Sequence, residues 1–304
     1  MPLLRYDKLP AIEQAFNASN ASRLEPINYA QGTPDEFQVL LFKSPNIYHF
    51  NEKHDKKRIV LHFTAGGLPG DMETLTKPNS FVSVPFVVSR DGTIYQLFPS
   101  KYWAYSLGMS TTDGDNKNHK LHKSCVAIEL SNFGPLELKP NTNILRKAKM
   151  RASDPNIDYC TLEQPEAYQL LTNPFRNFEY YATYTNEQIN SLIKLAKWLC
   201  VKYSIPSQIL PLSSRYIWDQ SVQPFNGITS HVNYRQSGKW DIGPEAFNWP
   251  SFETGIAINS QVGVDRSVRS GRTRSVEIDK VEDKKMRGKV RGVKYSEGVE
   301  EKIK

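Results

Sequence analysis

Two histidines and an aspartate in this chain have the types and the settings of a metal-binding set. His62 lies in Arg58-Ile-Val-Leu-His-Phe-Thr-Ala-Gly-Gly67, at the end of a hydrophobic strand and directly before a glycine-rich turn. His231 opens His231-Val-Asn-Tyr-Arg-Gln-Ser-Gly-Lys-Trp-Asp241, where a carboxylate follows ten residues later. Two imidazoles and a carboxylate make the three-ligand set of a catalytic zinc ion, which keeps its fourth position open for water. A further carboxylate, Glu129, ends the apolar run Val126-Ala-Ile-Glu129. On such a strand it must face a cleft, a partner charge or a metal site, because an isolated buried carboxylate is costly.

The elements that position these residues can be read from periodicity. Arg58 to Ala65 reads as a central strand, with Val60, His62 and Thr64 on one face and Leu61 and Phe63 on the other. Ser124 to Leu130 is a second short strand, with Cys125, Ala127 and Glu129 on one face and Val126, Ile128 and Leu130 on the core side. Phe81–Val88 and Thr93–Phe98 flank Arg90-Asp-Gly92, a hairpin signal, and Pro85 marks an edge or a strand beginning. Phe37–Phe42 has the composition of a strand. Thr185-Asn-Glu-Gln188 is a capping box that opens a helix from Ile189 to Tyr203, where Ile189, Leu192, Ile193, Ala196, Leu199 and Cys200 form one buried stripe. Residues 135–180 read as an irregular insertion rich in Pro and Asn. Alternating strands and helices with one hairpin predict an α/β fold, a mixed central sheet covered by helices.

Four blocks occur in a particular order: Leu61-His-Phe-Thr-Ala-Gly66, Ser89-Arg-Asp-Gly-Thr-Ile-Tyr-Gln96, Val126-Ala-Ile-Glu-Leu130, and His231 followed by Lys239-Trp-Asp-Ile-Gly243. In that order and spacing the chain resembles the N-acetylmuramoyl-L-alanine amidases of the zinc-dependent amidase and peptidoglycan-recognition-protein superfamily, from about Arg58 to Gly243. The resemblance implies a single α/β domain with a metal cleft along one edge of its sheet. It implies Zn2+ held by His62, His231 and Asp241, the last matching the branch that uses aspartate where other members use cysteine. Glu129 matches the general base and acid of the hydrolytic members, and Lys239 matches a cation that points into the site to stabilise the oxyanion. Trp240, between Lys239 and Asp241, is expected to pack. Two stretches depart from the family pattern, Ser83-Val-Pro-Phe86 and Trp103-Ala-Tyr-Ser-Leu-Gly108, and substrate contacts there are expected to be altered. The implied reaction is hydrolysis of the amide between N-acetylmuramic acid and L-alanine of the stem peptide. A non-catalytic recognition module and an amidase of a different cell-wall amide stay open as alternatives.

The resemblance and the composition together divide the chain into an extension over 1–57 packed on the catalytic domain, a zinc amidase domain over 58–250 containing the insertion 135–180, and a basic, flexible tail expected over 251–304. The formal net charge is +7, from 39 Lys and Arg against 32 Asp and Glu. Residues 261–304 hold thirteen of those cations and eight of the anions, a surplus of five, with no Trp or Phe and a single Tyr295. So little apolar surface cannot offset chain entropy, and attraction to an anionic wall polymer or to nucleic acid is a possible role. Cys125, Cys160 and Cys200 lack any CxxC pairing and read as buried free thiols. His119 and His122 fall in a Lys-rich stretch expected on the surface, and neither His49 nor His54 shows a sequence partner. No apolar run of eighteen residues exists, and the first ten residues lack the apolar stretch of a secretory signal. A wall hydrolase without such a signal needs another export route.

Overall fold

The computed structural model describes residues 3–29, 37–78, 81–108, 119–150, 152 and 154–257. Ahead of the first site residue come helix α1 (Arg5–Ser19) and strands β1 (Leu24–Tyr29) and β2 (Phe37–Phe42). The hydrophobic run before the glycine turn is β3 (Arg58–Phe63), buried along its whole length, and α2 (Leu68–Thr76) starts straight after the turn. The Arg90-Asp-Gly92 turn joins β4 (Phe86–Val88) to β5 (Ile94–Gln96), and β4 begins just after Pro85, whose missing N–H cannot serve a ladder. A short helix α3 (Lys120–Ser124) runs directly into β6 (Cys125–Leu130). Five strands follow: β7 (Pro135–Leu138), β8 (Ile144–Lys147), β9 (Asp158–Thr161), β10 (Tyr168–Phe175) and β11 (Phe178–Ala182). Helix α4 (Asn186–Tyr203), the single-turn α5 (Leu212–Arg215), strand β12 (Gly227–Ser230) and helix α6 (Trp249–Ala257) complete the described elements.

The main sheet has seven strands in the order β1-β2-β5-β4-β6-β3-β12. Its site-bearing half is parallel, β4 with β6, β6 with β3, and β3 with β12, while the β1–β2 and β4–β5 pairs are antiparallel. This is the mixed sheet that the alternation of strand and helix signals predicts. One face carries Ile59, Leu61, Val126, Ile128 and Leu130 and packs on α4 and α6. The other carries Val60 and Cys125, which pack with Leu107 and Tyr234. Burial of this central apolar set is the main stabilising contribution, at about 25 cal/mol for each Å² removed from water.

Helix α4 starts as its cap predicts. Thr185 accepts a hydrogen bond from the Gln188 amide at 3.1 Å. Only that half of the box forms, because the Gln188 side chain donates to the Val88 carbonyl at 2.9 Å and the Ser131 carbonyl at 3.2 Å. The buried stripe is wider than the sequence suggests, adding Leu195 and Trp198. Strands β1 and β2 widen the sheet beneath the helix, and Tyr29 meets Trp198 at 4.3 Å between ring centroids.

Three sequence expectations differ from the structure. Residues 135–180, expected to be irregular, lie in a second, antiparallel sheet of order β10-β11-β7-β8-β9. Its longest strand is hard to read because it buries so little. β10 buries one of its eight residues, and its pairing with β11 slips between Leu170 and Phe175. Helix α1 was not expected: Pro10 interrupts its pattern, and only Leu9, Glu13 and Phe16 are buried. Glu13 accepts from the Arg90 and Asp91 amides at 3.0 and 3.1 Å, which ties α1 to the β4–β5 turn. Residues 251–257, assigned to the tail by composition, belong to α6, with Phe252 and Ile256 in the core. The remainder of that segment, 258–304, lies outside the described residues. Cys125, Cys160 and Cys200 are buried and unpaired, and no helix among the described residues is long and apolar enough to cross a membrane.

Candidate metal centre

Strand register brings the distant site residues together. Parallel pairing of β3 with β6 sets His62 opposite Glu129, so both side chains project from the same face. On the other side β12 pairs Ser230 with Leu61, which leaves His231 as the first residue beyond that strand, beside His62. The two imidazole centroids are 4.3 Å apart. Asp241 reaches the pair from a loop, and its Oδ2 accepts from the Phe63 amide at 3.3 Å. That oxygen lies 3.4 Å from His231 Nδ1 and 3.9 Å from His62 Nδ1. One ligand atom from each of His62, His231 and Asp241 falls within 4.8 Å of the others, and all three residues are buried.

The donor set fits a metal ion. Both ring nitrogens of His62, and Nδ1 of His231, are buried without a hydrogen-bond partner. Buried polar atoms are ordinarily satisfied, so orphaned nitrogens converging beside a carboxylate make a group that could hold a cation. His231 Nε2 donates to the Leu107 carbonyl at 2.7 Å, which turns Nδ1 toward the centre and fixes the tautomer. Burial, reinforced by His231, holds His62 well below the ordinary imidazole range, and burial and Lys239 lower His231. Both shifts favour the neutral imidazole, the form that ligates. Burial opposes ionisation of Asp241, but His231 and Lys239 outweigh it and hold the carboxyl below its usual range. A group able to bind a metal, two imidazoles and one carboxylate, is thus present.

Glu129 stands at the margin of this set, with Oε1 3.9 Å from His62 Nδ1 and Oε2 buried without a partner. Burial, then the negative charge of Asp241, pushes its carboxyl well above the ordinary value, while Lys239 opposes the shift. Lys239 is half-buried and its charge acts on His62, Glu129, His231 and Asp241 alike. Trp240 turns aside and packs near Phe178, Leu171 and Tyr181.

A second buried carboxylate underpins the turn that follows His62. Asp71, in the first turn of α2, accepts from Ser131 Oγ at 2.6 Å. Its Oδ1 sits where a side chain at position 66 would begin, 2.6 Å from an added Cβ, so this turn requires glycine. Burial raises the Asp71 carboxyl to about 6, against the pull of Ser131, Thr64 and Lys147. A carboxyl raised by folding binds its proton more tightly in the native state. Its contribution is therefore stabilising at low pH and is lost as pH rises through about 6. The gap from about 3.8 to about 6 corresponds to about 3 kcal/mol. Asp71→Asn should flatten the stability profile between pH 4 and 7, read by urea denaturation at stepped pH. Parallel profiles for parent and variant would refute this role.

Other histidines are placed differently from the sequence expectation. His122, expected on a surface loop, is buried in α3, where its Nδ1 accepts from the Ser106 amide at 3.3 Å and burial lowers it to about 4. His119 lies beside Tyr105, with Nε2 and the phenol oxygen 3.2 Å apart. His49 stacks on Phe98 at 4.8 Å, and His54 pairs with Glu52 at 3.3 Å. The sequence marks Trp103–Leu107 only as a departure from the family pattern and carries no signal of its contact with His231. Trp103 stacks on Phe50 at 4.0 Å, and Leu107 presents the carbonyl that orients His231.

Residues 52–244 match the family model described as N-acetylmuramoyl-L-alanine amidase. No curated protein sequence matches the chain. Similar solved structures include the N-acetylmuramoyl-L-alanine amidase LysC from Clostridium intestinale URNW, at 13% identity and a TM-score of 0.39, covering 74% of this chain and 98% of that one. The amidase AmiD from E. coli, in complex with anhydro-N-acetylmuramic acid-L-Ala-D-gamma-Glu-L-Lys, has 19% identity and a TM-score of 0.32, covering 61% of this chain and 55% of its own. AMPDH3 from Pseudomonas aeruginosa, in complex with anhydromuramic pentapeptide, has 15% identity and a TM-score of 0.39, covering 70% and 65%.

Proposed function

From the premise that the chain belongs to the N-acetylmuramoyl-L-alanine amidase family and is a cell-wall amidase acting on peptidoglycan or muropeptides, we propose that it works as a zinc hydrolase through His62, His231, Asp241, Glu129 and Lys239. The observation that carries this reading is the convergence of His62, His231 and Asp241, with orphaned imidazole nitrogens, next to Glu129. Zinc held by the three residues would supply Lewis acidity toward the scissile carbonyl and make water more acidic. Glu129, paired in register with His62 and held above the ordinary carboxylate range by burial and the Asp241 charge, is the group placed to exchange protons here. It takes the proton of the attacking water as the new C–O bond forms at the lactyl carbonyl. It then passes that proton to the alanine nitrogen as the C–N bond breaks, giving a muramoyl carboxyl group and a free amino terminus. Lys239 places positive charge over the same group of residues, where it stabilises the negative oxygen of the tetrahedral intermediate. On the same face of the sheet Val60, Leu107, Cys125 and Tyr234 form a buried cluster.

The retained ligand set and the carboxylate beside it favour hydrolysis over a purely recognising module. Digestion of purified peptidoglycan by the zinc-loaded protein should release new L-alanine amino termini and no new reducing sugars. New reducing ends without amino termini, or binding without release, would defeat the assignment. The charge surplus of residues 261–304 supports, on composition alone, attraction to an anionic wall polymer or nucleic acid. A chain ending at Ala257 would then bind intact sacculi more weakly at low salt while cleaving soluble muropeptides at the parent rate, and equal binding at low salt would remove that role.

A further inference from the structure

The loop bearing Lys239 and Asp241 has no strand of its own. It follows exposed Gln236, Ser237 and Gly238, and the main sheet touches its ligand through the Phe63 amide. The second sheet and the residues just after it also hold this loop. Across the β10–β11 hairpin Phe175 pairs with Phe178, and the two residues between them, Arg176 and Asn177, have φ of 51° and 73°. Positive φ at both central positions is the geometry of a tight two-residue turn, which fixes where the Arg176 side chain starts. Arg176 Nη1 donates to the Lys239 carbonyl, with the guanidinium lying 5.6 Å over the Phe175 ring. Phe178 meets Trp240 at 6.3 Å between centroids. Tyr181 lies under Gly243, where φ is 81° and an added Cβ would come within 2.7 Å of the ring. Tyr184 donates to the Ile242 carbonyl at 2.8 Å, and Thr172 donates to Glu245 Oε2 through both its amide, at 3.1 Å, and its hydroxyl, at 3.0 Å.

We propose that the β10–β11 hairpin braces the metal-binding loop and that Arg176 is a positioning residue, which holds the Lys239 backbone so that the Lys239 ammonium and the Asp241 carboxylate both face the centre. This rests on the reading of Asp241 as a ligand and Lys239 as the oxyanion donor. A loop that must present two groups two residues apart has many alternative backbone states, and the metal or the substrate would otherwise have to select one of them. A hydrogen bond to the carbonyl at the start of that stretch removes much of this freedom. Arginine suits the task because its planar fork reaches across the cleft wall and keeps its charge when half-buried. The Asp241 carboxylate is near enough to act on the guanidinium, so Arg176 also adds positive potential behind the ligand. The second sheet, separate from the strands that carry His62 and Glu129, thereby becomes part of the active site's support.

The test uses the full chain with Arg176→Ala and Arg176→Lys, read with zinc and cobalt alone and with a soluble muropeptide. Arg176→Ala should weaken the zinc Kd by roughly 10- to 100-fold, the range for a residue that orients a ligand from behind. It should also shift the visible absorption bands of the cobalt form, and lower kcat more than it changes KM. Arg176→Lys, which keeps a donor and a charge, should recover part of the zinc affinity and of the spectrum. A folded Arg176→Ala with the parent's zinc Kd and cobalt spectrum would overturn the proposal. If Arg176→Ala does not fold, the same two readouts on Arg176→Gln decide it in the same way. A parent that binds no zinc overturns the ligand assignment and this inference together. A parent with a full equivalent of zinc beside an indifferent Arg176 variant overturns this inference alone.

Discussion

Glu129→Gln should retain its metal and its fold while losing roughly 100- to 10,000-fold in kcat, the usual contribution of a general base. The amide has nearly the shape of the carboxylate, so the β3–β6 register that sets position 129 against His62 is not disturbed. The variant loses the ability to take a proton and return it to the leaving nitrogen. Folding should not suffer, because Oε2 is buried with no partner and Asp241 already opposes a charge at this position. Replacing an ionisable group that folding disfavours by a neutral one leaves stability equal or slightly higher at neutral pH. Metal content by elemental analysis, melting temperature and turnover of a soluble muropeptide together check the prediction. Turnover within about threefold of the parent would move the base to another residue.

The second large effect is loss of the metal. His62→Ala and His231→Ala should each abolish stoichiometric zinc, since two remaining ligands do not close the set that all three residues form. The two variants should differ in the metal-free state. His62 makes no hydrogen bond through either ring nitrogen, so its removal leaves no partner behind. His231 donates to the Leu107 carbonyl, and its loss leaves that buried acceptor unpaired at a cost of about 1–3 kcal/mol. After chelation, His231→Ala should therefore melt below His62→Ala. A full equivalent of zinc retained by both variants after dialysis would show that the ligands have been misassigned, and the reverse order of melting would remove the orienting role given to Leu107.

Strand periodicity was enough to assign His62 and Glu129 each to one face of a short strand, whereas the strand that ends just before His231 and the register that matches the two faces came only with the fold. Those faces follow from the two-residue repeat of a strand, a local property that needs no knowledge of neighbours. The cap at Thr185 and the turn at Arg90-Asp-Gly92 were readable for the same reason, because each is a contact within a few residues. The half-formed box at Gln188 marks where that logic stops. Its side chain had partners 57 and 100 residues away in the folded chain, and these replaced the local one.

What the sequence by itself determined was the chemistry available: two imidazoles, two carboxylates and a lysine, each on or beside an element with a periodic or spacing signal. Only the tertiary structure decided how that chemistry is held. The carbonyl that aims His231 comes from Leu107, 124 residues away, and the bond that fixes the Lys239 backbone comes from Arg176 on a sheet the sequence did not disclose. The burial of His122 and the assignment of residues 251–257 to the core belong to the same class. Such contacts leave no periodic trace, because a backbone carbonyl accepts a hydrogen bond whatever its side chain, and because a strand such as β10, with one buried residue in eight, carries no alternation to read.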